Sequence, residues 1–514
     1  MSRPRDHRRA AAGTPAPSAP AAHSARDRML VLGAALLAPL AVYVATLHPG
    51  LPTGDSGELI TAAWTGGVAH PPGYPLYVLL GGAWAHALAF LEPAAALNLF
   101  SAAGMAAAAG VLALAALRLG GSRAGAVLAA WAFALFTPAW KYALVAEVFA
   151  LNALLGAAVL WLLAAACKTA NGANRRRLLL ALVFVTVLGL SHHHTLLLLG
   201  APASVVVFAA EWAASRGRRG ALLAQVGAAK ALALLPLAWL PFASRRADAL
   251  VWGDATNARG FFSLLLRDEY GTFRLDPAQA GMQADRSHVA LWLEALPQGM
   301  GALPLLLALA GVFVLARRHR RVTAALGAYA LLQALFFTRV GFPSDSPVLR
   351  GVIERFYILP ALAIALLAGV GAAALLARFP GAARAAAAGA ALLAVLAVPL
   401  ATHARIVSQR GNTFAESLGR GMLASCPPNA VLFVQGDLQH NALAYLTRVR
   451  GLRPDVAVLD QELMTYAWYV RRVRERHPGL LPPLGGAQRI RLRDGRTVEG
   501  WAIARGDSVV DVLA

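Results

Sequence analysis

The sequence predicts an all-α polytopic membrane protein of about eleven spanning helices, followed by a small extracytoplasmic α/β domain. Three features lead to that fold class. Of the 514 residues, 58% are hydrophobic and only 14% charged, with a mean hydropathy of +0.56, whereas soluble domains are roughly a quarter charged. Long apolar runs recur along the chain, punctuated by arginine clusters. After residue 402 the runs stop and a strand–helix–strand pattern takes over. A formal charge of +21 would suit a nucleic-acid binder. The arginines, however, lie mostly between apolar runs, where positive charge sets membrane orientation. Cys167 and Cys426 lie in different regions and offer no disulfide framework.

Residues 1–28 are polar, with Arg3, Arg5, Arg8, Arg9, Arg26 and Arg28 among Ala, Pro and Ser; they read as a disordered cytoplasmic tail. The run 29–47 is long enough to span. It is read as a retained helix rather than a cleaved signal, because an acidic motif starts immediately behind it. Further runs fall at 94–117, 122–138, 142–167, 177–192, 195–214, 221–243, 301–316, 322–338, 357–377 and 385–402, so that 29–402 forms the transmembrane domain. The segment 75–91 is read as an interfacial or re-entrant helix. With the tail inside, the inner loops carry Arg118 and Arg123, then Lys168 with Arg175, Arg176 and Arg177, then Arg216, Arg218 and Arg219. Arg317, Arg318, Arg320 and Arg321 follow, then Arg378 and Arg384, while the first outer loop, 48–93, has no Lys or Arg. A full span at 75–91 would turn every later cluster outward, against the positive-inside rule.

This topology gathers 48–75, a turn at Trp140 and Lys141, His192 to His194, loops 244–300 and 339–356, and the region 403–514 on the outer face of the cell's inner (plasma) membrane. Within 403–514, residues 430–434 and 456–459 read as parallel strands joined by a helix at 437–449. Gly436 and Asp437 fall at the carboxyl end of the first strand, where open α/β sheets place ligands. A plain turn and helix cap is the alternative for that pair.

Segment 54–75, GDSGELITAAWTGGVAHPPGYP, is the most informative stretch. Asp55 and Glu58 share one face if the segment is helical, and carboxylates at a membrane edge are functional candidates by default. The alternative is a helix-capping aspartate with an acid in the first turn. As chemistry, the pair supplies a base for an acceptor hydroxyl, with Asp55 the base and Glu58 the orienting group. The two acids could also hold a divalent magnesium or manganese ion, although two ligands are thin for a dedicated site. Glu147, expected about two turns into a helix starting near Trp140, should face a polar cavity or hydrogen-bond a neighbouring helix. Of the three histidines, His192 and His193 are candidates for phosphate or sugar contact; neighbours on a helix diverge, which argues against a shared metal. An amphipathic helix at 261–270 presents Arg267, and Arg355 follows Glu354 at a membrane edge. Guanidinium forks suit phosphate oxygens, with a local Glu354–Arg355 pair as the alternative.

Several segments together resemble glycosyltransferase family 117, multi-spanning proteins long filed as a domain of unknown function, among them eukaryotic protein O-mannosyltransferases. They are Asp55-Ser56-Gly57-Glu58, His70-Pro71-Pro72-Gly73-Tyr74-Pro75, Ala146-Glu147-Val148-Phe149-Ala150-Leu151-Asn152 and Gly189-Leu190-Ser191-His192-His193. Glu354-Arg355-Phe356-Tyr357, Pro428-Asn429-Ala430, Gly436-Asp437 and Arg453-Pro454-Asp455-Val456 continue the series in order over most of the chain. The resemblance implies a GT-C fold with its catalytic acids in the first outer loop. It also implies hexosyl transfer, mannose by analogy, from a polyprenyl-phosphate donor to an exported protein or glycan, protein Ser/Thr included. It adds His70 and Tyr74 to the expected substrate contacts, with Asp437 in the C-terminal domain. The family's Asn-rich continuation after Gly-Asp is replaced by Leu438-Gln439-His440. A lipid-carrier flippase or a non-catalytic envelope scaffold are the rival functions. No paired, interrupted half-repeats support the first, and the lysine-free acidic loop is without cause in the second.

Overall fold

The computed structural model describes residues 23–272, 287–339, 347–481, 484–491, 497–505 and 508–512. Most of the expected tail, up to residue 22, lies outside them. Apolar runs become helices because backbone amides in hydrocarbon have no partner but one another. In order these are α1 (Ala25–Thr46), α2 (Ser56–Thr65), α3 (Pro75–Ala87), α4 (Pro93–Arg118), α5 (Arg123–Ala134), α6 (Thr137–Ala143), α7 (Phe149–Lys168), α8 (Gly172–Leu188) and α9 (Leu196–Ala214). Then come α10 (Arg219–Ala233), α11 (Trp239–Ala243), α12 (Ala258–Leu266), α13 (His288–Met300), α14 (Ala302–Arg318), α15 (Arg320–Arg339), α16 (Pro347–Glu354), α17 (Ile358–Leu376) and α18 (Gly381–Val407).

Eight helices among the described residues are long and apolar enough to cross a membrane, or up to ten if two bent pairs each count as one span. The expectation of about eleven lies above this count among the described residues. The run 122–138 is broken where α5 meets α6 at 69°, with Pro138 opening α6. The run 301–316 belongs to a pair, α13 and α14, bent by 115° at Gly301, which adopts a positive φ of 80°. Helix α8 ends at Leu188, after 17 residues. Segment 75–91 holds only the 13-residue α3, too short to span. Small residues set the packing: a Cβ on Gly311 or Gly371 would lie 1.9 Å from a carbonyl oxygen of the facing helix, so α14 and α17 touch backbone to backbone.

Helix α18 runs on to Val407, past the expected boundary at 402, and α19 (Phe414–Ser425) follows. Strands β1 (Val431–Val434) and β2 (Ala457–Asp460) pair in parallel, Val431 opposite Ala457, around α20 (Asp437–Arg448). The expected βαβ unit is present. Helix α21 (Ala467–Arg476) then leads to an antiparallel sheet of β3 (Leu484–Arg491), β4 (Thr497–Arg505) and β5 (Ser508–Val512). The βαβ unit sits directly on the first loop. Gly57 lies so close to α20 that a Cβ there would stand 2.4 Å from the Asn441 carbonyl oxygen, and Asn441 Nδ2 donates to the Gly54 carbonyl at 3.0 Å. Glu92 accepts from Tyr445 and, at 2.6 Å, from Arg450. A short parallel bridge between Val68 and Val251 ties the long loop after α11 to the same corner.

Candidate active site

A cavity of about 910 Å³ opens where these pieces meet. Every expected site residue except His192 lines it: Asp55, Glu58, His70, Tyr74, Glu147, His193, Arg267, Arg355 and Asp437. Asp55 occupies the N-cap position of α2 with Glu58 in its first turn, the geometry of the capping alternative. Yet the Asp55 side chain makes no cap hydrogen bond. Its Oδ2 instead accepts from Arg355 at 2.8 Å, across 300 residues of sequence. Glu58, only 3% exposed, uses both oxygens on His70, accepting from the backbone N–H at 2.5 Å and meeting Nδ1 at 2.7 Å. Gly73 and then Tyr74, at φ 43°, turn the chain into α3, and the Tyr74 ring packs against His70 and His193. A tyrosine held left-handed is costly, consistent with its place on the cavity wall.

Electrostatics follow from this packing. Burial pushes the Asp55 carboxyl up, but Arg355 and then His70 outweigh it and hold the group below the ordinary carboxylate range. Burial works against the His70 imidazolium, but Glu58 reverses the effect and raises it to about 9. Glu147, buried first and foremost, is pushed up to about 7. It does not lie within a helix as expected: residues 144–148 break the chain between α6 and α7. The break frees backbone groups, and Asn98 and Ser101 of α4 satisfy the N–H groups of Ala146 and Glu147. The Oε2 of Glu147 and the Nε of Arg355 are buried without a hydrogen-bond partner.

Other expectations are corrected. Trp140 and Lys141 sit inside α6 rather than in a turn. The three histidines occupy the non-helical link between α8 and α9. There His192 turns inward, its Nε2 2.9 Å from the Val148 carbonyl oxygen, as a wholly buried brace for the break. Glu354 does not pair with its neighbour Arg355; Lys141 takes it at 3.0 Å, leaving Arg355 to Asp55. Arg267 ends α12 in a left-handed conformation, φ 60°, and stacks over Tyr270. Asp437 opens α20, and the wall beside it adds Glu462 and Tyr466, which sequence reasoning missed. The signal was available: Glu462 follows the carboxyl end of β2 just as Asp437 follows that of β1. Among the described residues, no three His, Cys, Asp or Glu side chains converge as a metal-ligand set.

By fold, the chain is a multi-span membrane protein of ArnT-like architecture. It superposes on crystal structures of ArnT from Cupriavidus metallidurans, one bound to undecaprenyl phosphate and one apo. Each gives a TM-score of 0.54 over 86% of this chain and 91% of that one, at 15% identity. Residues 55–216 match the model of the protein O-mannosyl-transferase TMEM260 N-terminal domain, and residues 415–478 that of TMEM260-associated domain 2. Over these two segments the chain is similar to the TMEM260 family. It is 35% identical over 460 residues to protein O-mannosyl-transferase TMEM260 of Mus musculus, and 26% identical over 471 residues to that of Dictyostelium discoideum. These alignments take in 86% and 83% of this chain but span 64% and 56% of the relatives' own lengths.

Proposed function

We propose that this chain is a GT-C membrane glycosyltransferase that moves mannose, with inversion, from a polyprenyl-phosphate donor to a hydroxyl of an exported protein, at the outer face of the inner membrane. The observation that carries this reading is the meeting of Asp55 and Glu58, from the first outer loop, with Arg267 and Arg355, from loops far along the chain, around one cavity. In this reading Asp55 takes the proton of the acceptor hydroxyl as its oxygen attacks the anomeric carbon. The bond to the phosphate oxygen breaks on the opposite side, and its electrons stay on the lipid phosphate. That leaving group is already anionic and needs no acid. Arg355 and Arg267 hold it by charge-assisted hydrogen bonds, and Glu58 fixes His70 at the cavity edge. Pairing with Arg355 keeps Asp55 ionised at neutral pH, so the base is always ready, at some loss of basicity. The transmembrane helices of 29–402 enclose the lipid, and the C-terminal domain covers the cavity from the water side. The names of the relatives and the undecaprenyl phosphate bound to ArnT support both substrates.

The test uses membranes containing the chain, polyprenyl-phosphate mannose labelled in the sugar, and peptides bearing Ser or Thr. Label should pass to the peptide with wild-type protein and not with Asp55→Asn. Label that crosses the membrane without changing its carrier would favour the flippase instead.

A further inference from the structure

The cavity has two chemically different sides. On one, every cation meets a partner in the wall: Arg355 meets Asp55, His70 meets Glu58, and Arg267 lies over Tyr270. On the other, the carboxyl ends of β1 and β2 lead into Gln435-Gly436-Asp437 and Gln461-Glu462, and the lining residues are Asp437, Leu438, Glu462, Leu463, Thr465 and Tyr466. Among the described residues, no Lys or Arg lines that side. Gln435 Nε2 donates to Glu462 at 3.2 Å, joining the two strand ends. Both carboxylates are open to the lumen. The protein mass around Asp437, then the Asp55 and Glu58 charges, pushes its carboxyl up to about 6, with His70 acting in the opposite sense. The unpartnered Oε2 of Glu147, a residue only 5% exposed, also lines the cavity, which marks it as a space built to receive a polar ligand.

Placement of substrates follows from charge. A lipid phosphate is drawn to Arg267 and Arg355 and repelled by the strand-end acids. The acid side is then left for the acceptor. A neutral glycan gains nothing from uncompensated carboxylates, whereas a basic side chain beside the acceptor hydroxyl relieves them. Resting on the transferase reading above, we infer that the βαβ unit is the acceptor side of the cavity, where Asp437 and Glu462 select a polypeptide Ser or Thr flanked by Lys or Arg.

The experiment compares three synthetic peptides, each with one Thr flanked by Lys, Ala or Glu, using full-length protein and labelled polyprenyl-phosphate mannose. The Lys peptide should show a kcat/KM about tenfold above the Glu peptide, mainly through KM, with the ratio shrinking at high salt. In Asp437→Asn/Glu462→Gln the ratio should fall to within about twofold, and in Asp437→Lys/Glu462→Lys it should invert. An active wild type that uses Lys and Glu peptides equally overturns the inference but leaves the transferase reading standing. So does a neutralised variant that keeps the wild-type ratio, or mannose passing to glycans and to no peptide. Mannose that leaves the lipid for no acceptor overturns both. The wild-type ratio needs no variant, so it decides even where a double substitution does not fold.

Discussion

Two carboxylate–arginine clusters, one at each end of helix α9, differ in how completely they are satisfied. In its last turn, Glu211 accepts from Arg175 Nε at 2.9 Å, Arg176 Nε at 3.1 Å and Ser215 Oγ at 3.3 Å, and Arg176 also donates to Ser215. That cluster pins α8 to α9 and leaves nothing over. Just before its first turn lies the cavity cluster, where Asp55 and Arg355 share one contact, and both Arg355 Nε and Glu147 Oε2 are buried unpaired. A native protein rarely tolerates such orphans without a use for them. Closed polar networks hold helices together; the open one has room for a ligand.

The comparison is broken most directly at Asp55, the proposed base. Asp55→Asn should lower the transfer rate about a thousandfold, with membrane insertion unchanged, when labelled mannose transfer is timed in membranes matched for protein level. Activity within a few fold of wild type would remove Asp55 from the chemistry. Glu211→Gln should do the reverse. Loss of one partner from a closed buried cluster costs about 3 kcal/mol of stability, seen as a clear fall in thermal unfolding temperature in detergent. Transfer per folded molecule should stay near wild type. If it fell with Asp55→Asn-like severity, the satisfied cluster would not be merely structural.

Much of this contrast was legible in the sequence, for reasons particular to each element. Spans announce themselves because lipid demands apolar length. Their number did not, since the bends at Pro138 and Gly301 depend on what packs against them. The acids of 54–75, Tyr74, Glu147, His193, Arg267 and Arg355 could be named from motif and residue chemistry. Their partners could not, because Asp55 and Arg355 lie 300 residues apart. His192 was indistinguishable from His193 as a neighbour in sequence, and only the bend after α8 turns one inward and the other to the cavity. Glu462 and Tyr466 went unseen because their place over the cavity is set by the close seat of α20 on Gly57.

Arg355 sharpens the comparison at the next level. Arg355→Lys retains a positive charge near Asp55 but loses the planar fork, so a lipid phosphate can no longer be held by two parallel bonds. The expected outcome is a rise in KM for the polyprenyl-phosphate donor of about tenfold or more, with a smaller change in kcat. The equivalent change at the closed cluster, Arg176→Lys, should leave donor KM alone. Equal effects at both arginines would mean that Arg355 holds helices rather than phosphate.

The smallest effect is a pH dependence, at the Glu58–His70 contact on the edge of the cavity. His70 titrates near 6.5 when unfolded and near 9 when folded, because Glu58 overrides the opposing effect of burial. A folded value above the unfolded one means that the native state holds its proton more tightly. The stabilisation is therefore complete below about pH 6.5 and is lost as pH rises towards about 9. Thermal unfolding of wild type and His70→Gln should then differ most near pH 6 and converge by about pH 10, with Glu58 left to hold only the residue 70 backbone N–H. A gap between the two proteins that stays constant across this window would show that the Glu58–His70 contact carries no titrating charge, and would leave Glu58 orienting the cavity edge by a neutral hydrogen bond alone.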